Sequence, residues 1–174
     1  YEHCSYFSMG SHARLFRRAG FDVTEVKLAY DDQYILQYAL PAAGGQPLPN
    51  EMDLDEMRDL ATAFSARVAS VRQHWIDLVK SRKAAGGRVA LWGGGSKAVS
   101  FLTSNTLEGD ISQVVDINRF KQGKYLPGTA LRVSSPEDLL ADPPDLVIAM
   151  NPVYLAEIAA CLDEMGLSPD LVAV

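Results

Sequence analysis

One short stretch decides the fold of the C-terminal half, VALWGGGSKA at residues 89–98. Its first four residues are apolar and indicate a buried strand, and three glycines then form a tight turn. Ser96 follows at the start of an amphipathic helix. The spacing G-x-G-x-x-A, at Gly93, Gly95 and Ala98, is typical of the Rossmann turn when it joins a strand to a helix.

Strands and helices alternate from this turn to the last residue. Further strands are predicted at residues 111–117, 131–133, 146–150 and 171–174, with helices beginning after Ser135 and after Asn151. Short apolar strands that alternate with amphipathic helices indicate a parallel sheet covered by helices on both faces. We therefore predict an α/β fold with a Rossmann-like domain over residues 86–174.

The segments before this domain differ in character. Residues 1–42 contain a helix capped by Ser8 and then two β-rich runs that form a hairpin. Such a unit cannot bury both of its faces, so it resembles the end of a larger sheet. The stretch PAAGGQPLPN at residues 41–50 holds three prolines and two glycines. We therefore predict a linker over residues 43–52.

A long helix is predicted over residues 53–85, with a capping-box-like start at Asp53 and Glu56. It would be roughly 45 Å long at 1.5 Å per residue. Its apolar residues repeat at steps of three and four, namely Leu54, Met57, Ala61, Phe64, Val68, Val71, Trp75 and Leu78. We expect a bracing helix that packs along two domains, and a coiled-coil dimer is the alternative.

Composition excludes several classes of partner. The 174 residues are 48% hydrophobic and carry a formal net charge of −6, so we expect no nucleic acid and no anionic membrane surface as partner. No apolar run approaches the ~20 residues that span a bilayer. Cys4 and Cys161 fit no CxxC metal spacing, which predicts free thiols, no metal site and a reducing, cytoplasmic location.

The glycine turn is the first candidate ligand site. Its glycines let a phosphate approach bare backbone N–H groups, the helix N-terminus adds partial positive charge, and Lys97 could add a full one. Asp116 lies 21 positions after Gly95, where an acid that binds a ribose hydroxyl would sit. Three readings stay open: a plain βα turn without ligand, an NAD site, and a site for another anion such as the pyrophosphate of a nucleotide-sugar.

Several motifs together resemble the nucleotide-sugar C-methyltransferases, which make branched deoxysugars. These motifs are LWGGGSK at 91–97, VDIN at 115–118, KQGKYLPGT at 121–129 and MNPVY at 150–154. The stretch YEHCSYFS at 1–8 resembles the end of a class I methyltransferase domain. The resemblance covers essentially the whole chain. It implies a zinc-binding N-terminal module, a middle methyltransferase domain and a C-terminal Rossmann-like domain.

By this resemblance, residues 1–42 end the middle domain and the rest is the C-terminal domain. The family's loop for S-adenosylmethionine (SAM) and its zinc-binding cysteines have no counterpart in this sequence. We therefore expect SAM as cofactor of the complete enzyme and none on this chain, which alone should be inactive. The expected partners are a nucleotide-sugar substrate and the missing N-terminal zinc and SAM-binding parts of the same protein.

The resemblance also implies roles for individual residues. Methylation of carbon needs an enolate, and the family's catalytic motif matches Tyr1, Glu2 and His3. His3 would be the base, Glu2 would tune or replace it, and Tyr1 would bond the sugar oxygen. The residues expected to bind the sugar-nucleotide lie beyond the strand ends: Gly93, Gly94, Gly95, Ser96, Lys97, Asp116, Asn151 and Tyr154.

Two functions of other classes compete with this interpretation. An NAD-dependent oxidoreductase domain is favoured by Gly93, Gly95 and Asp116. A non-catalytic docking or dimerisation module is favoured by the apolar stripe of the long helix.

Overall fold

The computed structural model describes residues 5–42 and 44–174. They fall into two compact units, one reaching to residue 68 and the other spanning residues 69–174. Each unit is described by itself. The candidate catalytic residues Tyr1, Glu2 and His3, and also Cys4, lie outside the described residues, so their roles stay predictions.

The first unit begins with a helix and a hairpin. Helix α1 (Met9–Arg18) precedes strands β1 (Asp22–Ala29) and β2 (Tyr34–Leu40), which pair antiparallel. The Oγ of Ser8 accepts the N–H of Ser11 at 3.1 Å and caps α1, as predicted. Gly20 follows the helix with φ +89°, a backbone conformation that favours glycine.

The hairpin buries one face and exposes the other. Val23 and Val26 pack with Ala13 of α1 into a small core. The alternate residues of β2 lie on the opposite face, and four large side chains are exposed there: Tyr34, Leu36, Tyr38 and Leu40. The apolar side chains on this face are therefore uncovered within the described residues.

The proline-rich linker is held to this unit by Arg17. Its Nε donates to the Oε1 and Oε2 of Glu51 at 2.9 and 3.1 Å, and its Nη1 donates to the Oδ1 of Asp22 at 3.0 Å. Its Nη2 donates to the carbonyl oxygens of Val23 and Gln46. The Glu51 side chain is only 3% exposed, so the guanidinium of Arg17 neutralises a buried carboxylate.

Two carboxylates of this unit make its stability pH-dependent. Burial favours the neutral form of Glu51, but the bonds from Arg17 and from the Leu48 N–H outweigh burial, so the pKa of Glu51 lies below its ordinary 4.5. The pKa of Asp53 is lowered in the same way against burial, by Ser8 and Arg14. A carboxylate with a lowered folded-state pKa stabilises the fold above its unfolded pKa and loses that contribution as pH falls through the folded value.

We therefore expect the free energy of unfolding of the first unit to fall as pH drops below about 4.5. Urea titrations at several pH values, followed by circular dichroism, measure it. Glu51→Gln carries no titrating group at this position and should show a shallower loss on acidification. An identical loss in both proteins would contradict the assignment.

Helix α2 (Leu54–Ala84) is 31 residues long. The carboxylate of Asp53, which precedes the helix, accepts from Ser8 Oγ at 2.6 Å and from Arg14 Nη1 at 2.7 Å. The large apolar side chains of the stripe are exposed from its start: Leu54, Phe64, Val68 and Val71. No helix among residues 5–42 and 44–174 is long and apolar enough to cross a membrane.

The second unit is built on a parallel sheet of five strands. The strands are β3 (Val89–Trp92), β4 (Gln113–Val115), β5 (Val133–Ser134), β6 (Leu146–Ala149) and β7 (Asp170–Ala173). Their order is β5-β4-β3-β6-β7, and every neighbouring pair is parallel. Helices α3 (Ser96–Asn105) and α4 (Leu155–Glu164) connect them, with 3-10 turns at Pro136–Leu140 and Pro152–Tyr154.

Alternate residues of the central strands face two separate cores. On one face, Leu91 and Ile148 pack with α3 and with Trp75 of α2, whose ring lies edge-on to Phe101 at 5.6 Å. On the other face the core contains α4 and the turn at Pro136–Leu140. Helices cover both faces, and the predicted Rossmann-like parallel sheet is confirmed.

Two predicted elements of this unit differ in detail. The segment after Ser135 is a five-residue 3-10 turn and not an α-helix. Pro143 and Pro144 follow closely and disfavour helical backbone before them, so the turn cannot extend. Strand β5 is two residues long and begins at Val133, because the preceding residues Tyr125 and Arg132 form an antiparallel bridge instead.

Candidate functional site

A cavity of about 290 Å³ opens at the carboxyl ends of the central strands. Strand β3 lies in the middle of the sheet, with β4 on one side and β6 on the other, so chain connections leave it in opposite directions. Ligands of open α/β sheets bind at such a switch point. The cavity is lined by Trp92, Gly93, Asp116, Ile117, Lys121, Met150, Asn151, Tyr154, Glu157 and Ile158.

The glycine turn needs glycine for two different reasons. Gly93 has φ +113° and donates its N–H to the carbonyl of Val115 at 2.8 Å. A Cβ on Gly94 would lie 2.8 Å from Cγ2 of Val133, so the turn packs directly on β5. The turn is therefore shaped by the neighbouring strands as well as by any ligand.

Asp116 follows β4 and is buried beside this turn. Its Oδ2 accepts the N–H of Gly94 at 2.8 Å and the Nζ of Lys121 at 3.0 Å, and its Oδ1 accepts the N–H of Asn118 at 2.8 Å. A carboxylate offers about four acceptor positions, so these three donors leave little capacity for a ligand. Asp116 lines the cavity, but its geometry is that of a residue that positions other groups.

Lys121 is a site residue that sequence reasoning missed. Its ammonium lines the cavity and also lies close to the turn, 3.5 Å from where a Cβ on Gly95 would stand. No periodicity marks a lysine in a loop. The available signal was its place five residues after Asp116, at the start of the KQGKYLPGT motif.

The remaining predicted residues fall into two groups. Ser96 and Lys97 lie in the first turn of α3, whose N-cap Gly95 makes no side-chain cap, and neither lines the cavity. Lys97 is exposed. Asn151 and Tyr154 do line the cavity, and the Oδ1 of Asn151 accepts the N–H of Val153 at 3.2 Å, which fixes the entry to α4.

The aromatic side chains give the cavity its apolar walls. Trp92 is 7% exposed and packs into the core on the α4 side of the sheet. Tyr154 is 41% exposed at the rim. A buried ring and a more accessible one thus line the same cavity, which suits a flat apolar ligand, and Lys121 and Asn151 add polar groups to the lining.

Asp116 is the residue that would bind the ribose of a dinucleotide at this turn. Such a cofactor binds its ribose hydroxyls to a carboxylate after the second strand, and Asp116 already holds three internal donors. Among residues 5–42 and 44–174, no group of three or more His, Cys, Asp or Glu side chains could hold a metal ion. Burial, followed by the nearby carboxylates of Glu164 and Glu137, raises the pKa of the Cys161 thiol, which disfavours the thiolate.

The strand order, the glycine turn and the cavity at the switch point define a Rossmann-like α/β domain with a crevice at its strand ends. The family model described as C-methyltransferase C-terminal domain matches residues 49–167, and this chain belongs to that family.

A curated relative supports the same assignment. The chain is 34% identical over 170 residues to the C-methyltransferase NovU of Streptomyces niveus, and the match covers 91% of this chain. It spans only 40% of that relative's length. The activity of a longer protein is therefore a separate question from the family of this part.

Solved structures with a similar sheet include the Rex-family repressor RSP. One structure of it matches with a TM-score of 0.38 and 18% identity over 53% of this chain and 56% of that chain. A second, in complex with beta-NADH, matches with a TM-score of 0.37 and 20% identity over 53% of this chain and 57% of that chain.

Proposed function

We propose that this chain forms the C-terminal part of a SAM-dependent C-methyltransferase that acts on a keto-deoxysugar linked to a nucleotide. The observation that carries the proposal is membership of the C-methyltransferase C-terminal domain family, together with the match to NovU over nearly the whole chain. In the longer protein SAM supplies the methyl group. The family's SAM-binding loop has no counterpart in this sequence, which supports a SAM site in another part of the longer protein.

The contribution of this chain to the chemistry is removal of a proton. A keto group acidifies the neighbouring carbon of the sugar, and a base takes that proton to leave an enolate. A histidine has a pKa suited to this step near neutral pH, which favours His3 as the base. Glu2 would tune or replace it, and a hydrogen bond from the Tyr1 hydroxyl would hold the sugar oxygen.

The second unit would hold the nucleotide of the substrate. Its cavity opens at the strand ends, and the groups around it combine aromatic walls with a cation and an amide. Ser96 and Lys97 at the start of α3, beside the cavity, remain candidates for a phosphate. In this proposal the N-terminal motif carries out the chemistry and the second unit binds the nucleotide.

One observation favours an NAD-binding oxidoreductase as a second candidate. The strand order matches five of the six strands of the dinucleotide-binding fold, and the glycine turn has the matching spacing. The internal bonds of Asp116 speak against it, because the acceptor for the adenosine ribose is already engaged.

The proposal is tested on the longer protein with SAM and a thymidine-diphosphate keto-deoxysugar. We expect one methyl group to appear on a carbon of the sugar, detected by mass spectrometry and located by NMR. In deuterated water without SAM, the same carbon should exchange its proton for deuterium. Methylation on oxygen or nitrogen, or hydride transfer with NAD in place of methylation, would reject the proposal.

A further inference from the structure

We propose that Lys121 is the residue that holds the diphosphate of the nucleotide over the glycine turn, a role that sequence spacing assigns to Lys97. This inference rests on the proposed function for the identity of the ligand. Its physical basis is the position of Lys121. This residue lines the cavity, and its ammonium lies 3.5 Å from where a Cβ on Gly95 would stand. Lys97 is exposed and does not line that cavity.

The loop that carries Lys121 is organised around Asp116. Asn118 donates its N–H to the Oδ1 of Asp116 at 2.8 Å, and Gln122 donates through Nε2 to its backbone carbonyl at 2.9 Å. Lys121 completes the arrangement by donating to Oδ2 at 3.0 Å. The ammonium is therefore held in position before a ligand arrives, which lowers the entropy that binding must lose.

Pairing with Asp116 does not consume the lysine. An ammonium has three donors, and the hydrogen bond from Lys121 to Asp116 uses one of them. The carboxylate is also bonded by the N–H groups of Gly94 and Asn118, so part of its charge is stabilised without the lysine. The Lys121 side chain is 42% exposed, so its remaining donors can reach a ligand in the cavity.

Backbone donors near Lys121 complete an anion site. The N–H groups of Gly93 and Gly94 are used internally, by Val115 and Asp116. The first N–H groups of a helix have no intrahelical partner, and α3 lacks a side-chain cap. A diphosphate between Lys121 and the start of α3 would therefore meet a full positive charge together with unpaired amides.

The cavity then sets the size of the rest of the ligand. At about 290 Å³ it lies at the lower end of ligand pockets, enough for one nucleoside. The rings of Trp92 and Tyr154 offer apolar walls to a flat base. A nucleoside diphosphate fits a cavity of this size better than a dinucleotide does, because a dinucleotide carries a second nucleoside.

The test titrates this 174-residue chain with thymidine diphosphate and with NAD by calorimetry. We expect Lys121→Gln to weaken diphosphate binding by about tenfold or more, the effect of losing one charged hydrogen bond. Lys121→Arg should restore most of the affinity, since it keeps the charge. Lys124→Gln is the matched control, an exposed lysine of the same loop, and should bind like the unchanged chain.

Three results would overturn the inference. They are a larger loss in Lys97→Gln than in Lys121→Gln, tighter binding of NAD than of the diphosphate, and no binding of the diphosphate at all. Thermal melting of each variant checks that the protein still folds. If Lys121→Gln does not fold, the comparison of Lys121→Arg with Lys97→Gln still tests the inference.

Failure of the inference and failure of the proposed function look different in the longer protein. We expect Lys121→Gln to raise the KM for the nucleotide-sugar by about tenfold while kcat changes little. Unchanged KM with intact methyl transfer rejects Lys121 and leaves the function standing. Absence of methyl transfer in the unaltered protein rejects the function, while the calorimetric comparison still judges Lys121.

Discussion

Arg17→Ala is expected to lower the free energy of unfolding of the first unit by about 3–5 kcal/mol, the range for breaking a buried ion pair from one side. The guanidinium makes two bonds to Glu51 and one to Asp22, and it also satisfies the carbonyls of Val23 and Gln46. Its removal leaves the Glu51 carboxylate buried without its cation. Amide hydrogen exchange in peptides covering residues 9–51 measures the change.

The controls for this prediction lie in the same helix and at the same site. Arg18→Ala removes an exposed neighbouring arginine and should change stability by less than about 0.5 kcal/mol. The pair Arg17→Met with Glu51→Leu should recover much of the loss, because no unpaired charge remains. Equal amide hydrogen exchange in Arg17→Ala and Arg18→Ala would show that the bonds of Arg17 do not hold the linker.

His3→Ala in the longer protein is expected to reduce turnover by about 10²–10⁴-fold, the contribution of a positioned general base. Without the base, the carbon next to the keto group keeps its proton and no enolate forms. The measurement is the rate of methyl transfer to the sugar at saturating substrate. Tyr6→Phe, which removes a hydroxyl three residues away, is the matched control and should retain full turnover.

The pH profile separates His3 from Glu2 as the base. The acidic limb of kcat/KM reports the pKa of the base in the free enzyme, near about 6.5 for histidine and about 4.3 for glutamate. We expect the limb near the histidine value, lost in His3→Ala and shifted in Glu2→Ala. Unchanged turnover in both variants would remove this motif from the mechanism.

The parallel sheet was predictable because its strands are buried on both sides. Val89–Trp92 and Leu146–Ala149 are apolar at every position, and every residue in them is buried. A continuous apolar run is typical of a strand buried on both faces. A solvent-facing strand or a surface helix would have polar residues on its exposed side. Strand β5 was harder to place, since two residues at the edge of the sheet carry almost no pattern.

The candidate site was predictable where residues follow strands directly. Gly93, Asp116 and Asn151 come immediately or within two residues after a strand, and all three line the cavity. Lys121 was not predictable in this way, because its position depends on how the loop folds around Asp116. The sequence also could not reveal that Asp116 already accepts three hydrogen bonds, since two of the three donors are backbone N–H groups.

The ion pairs that Arg17 and Arg14 make in the first unit affect the choice of boundaries for an expression fragment. The family pattern starts at residue 49, so a fragment made at that boundary keeps Glu51 and Asp53 but discards Arg17 and Arg14, which bind them. The second compact unit starts at Ala69, inside α2, and retains Trp75 for its own core. The segment that matches the family model therefore begins before the unit that encloses its own core, and an expression fragment for crystallisation or NMR is best begun within α2.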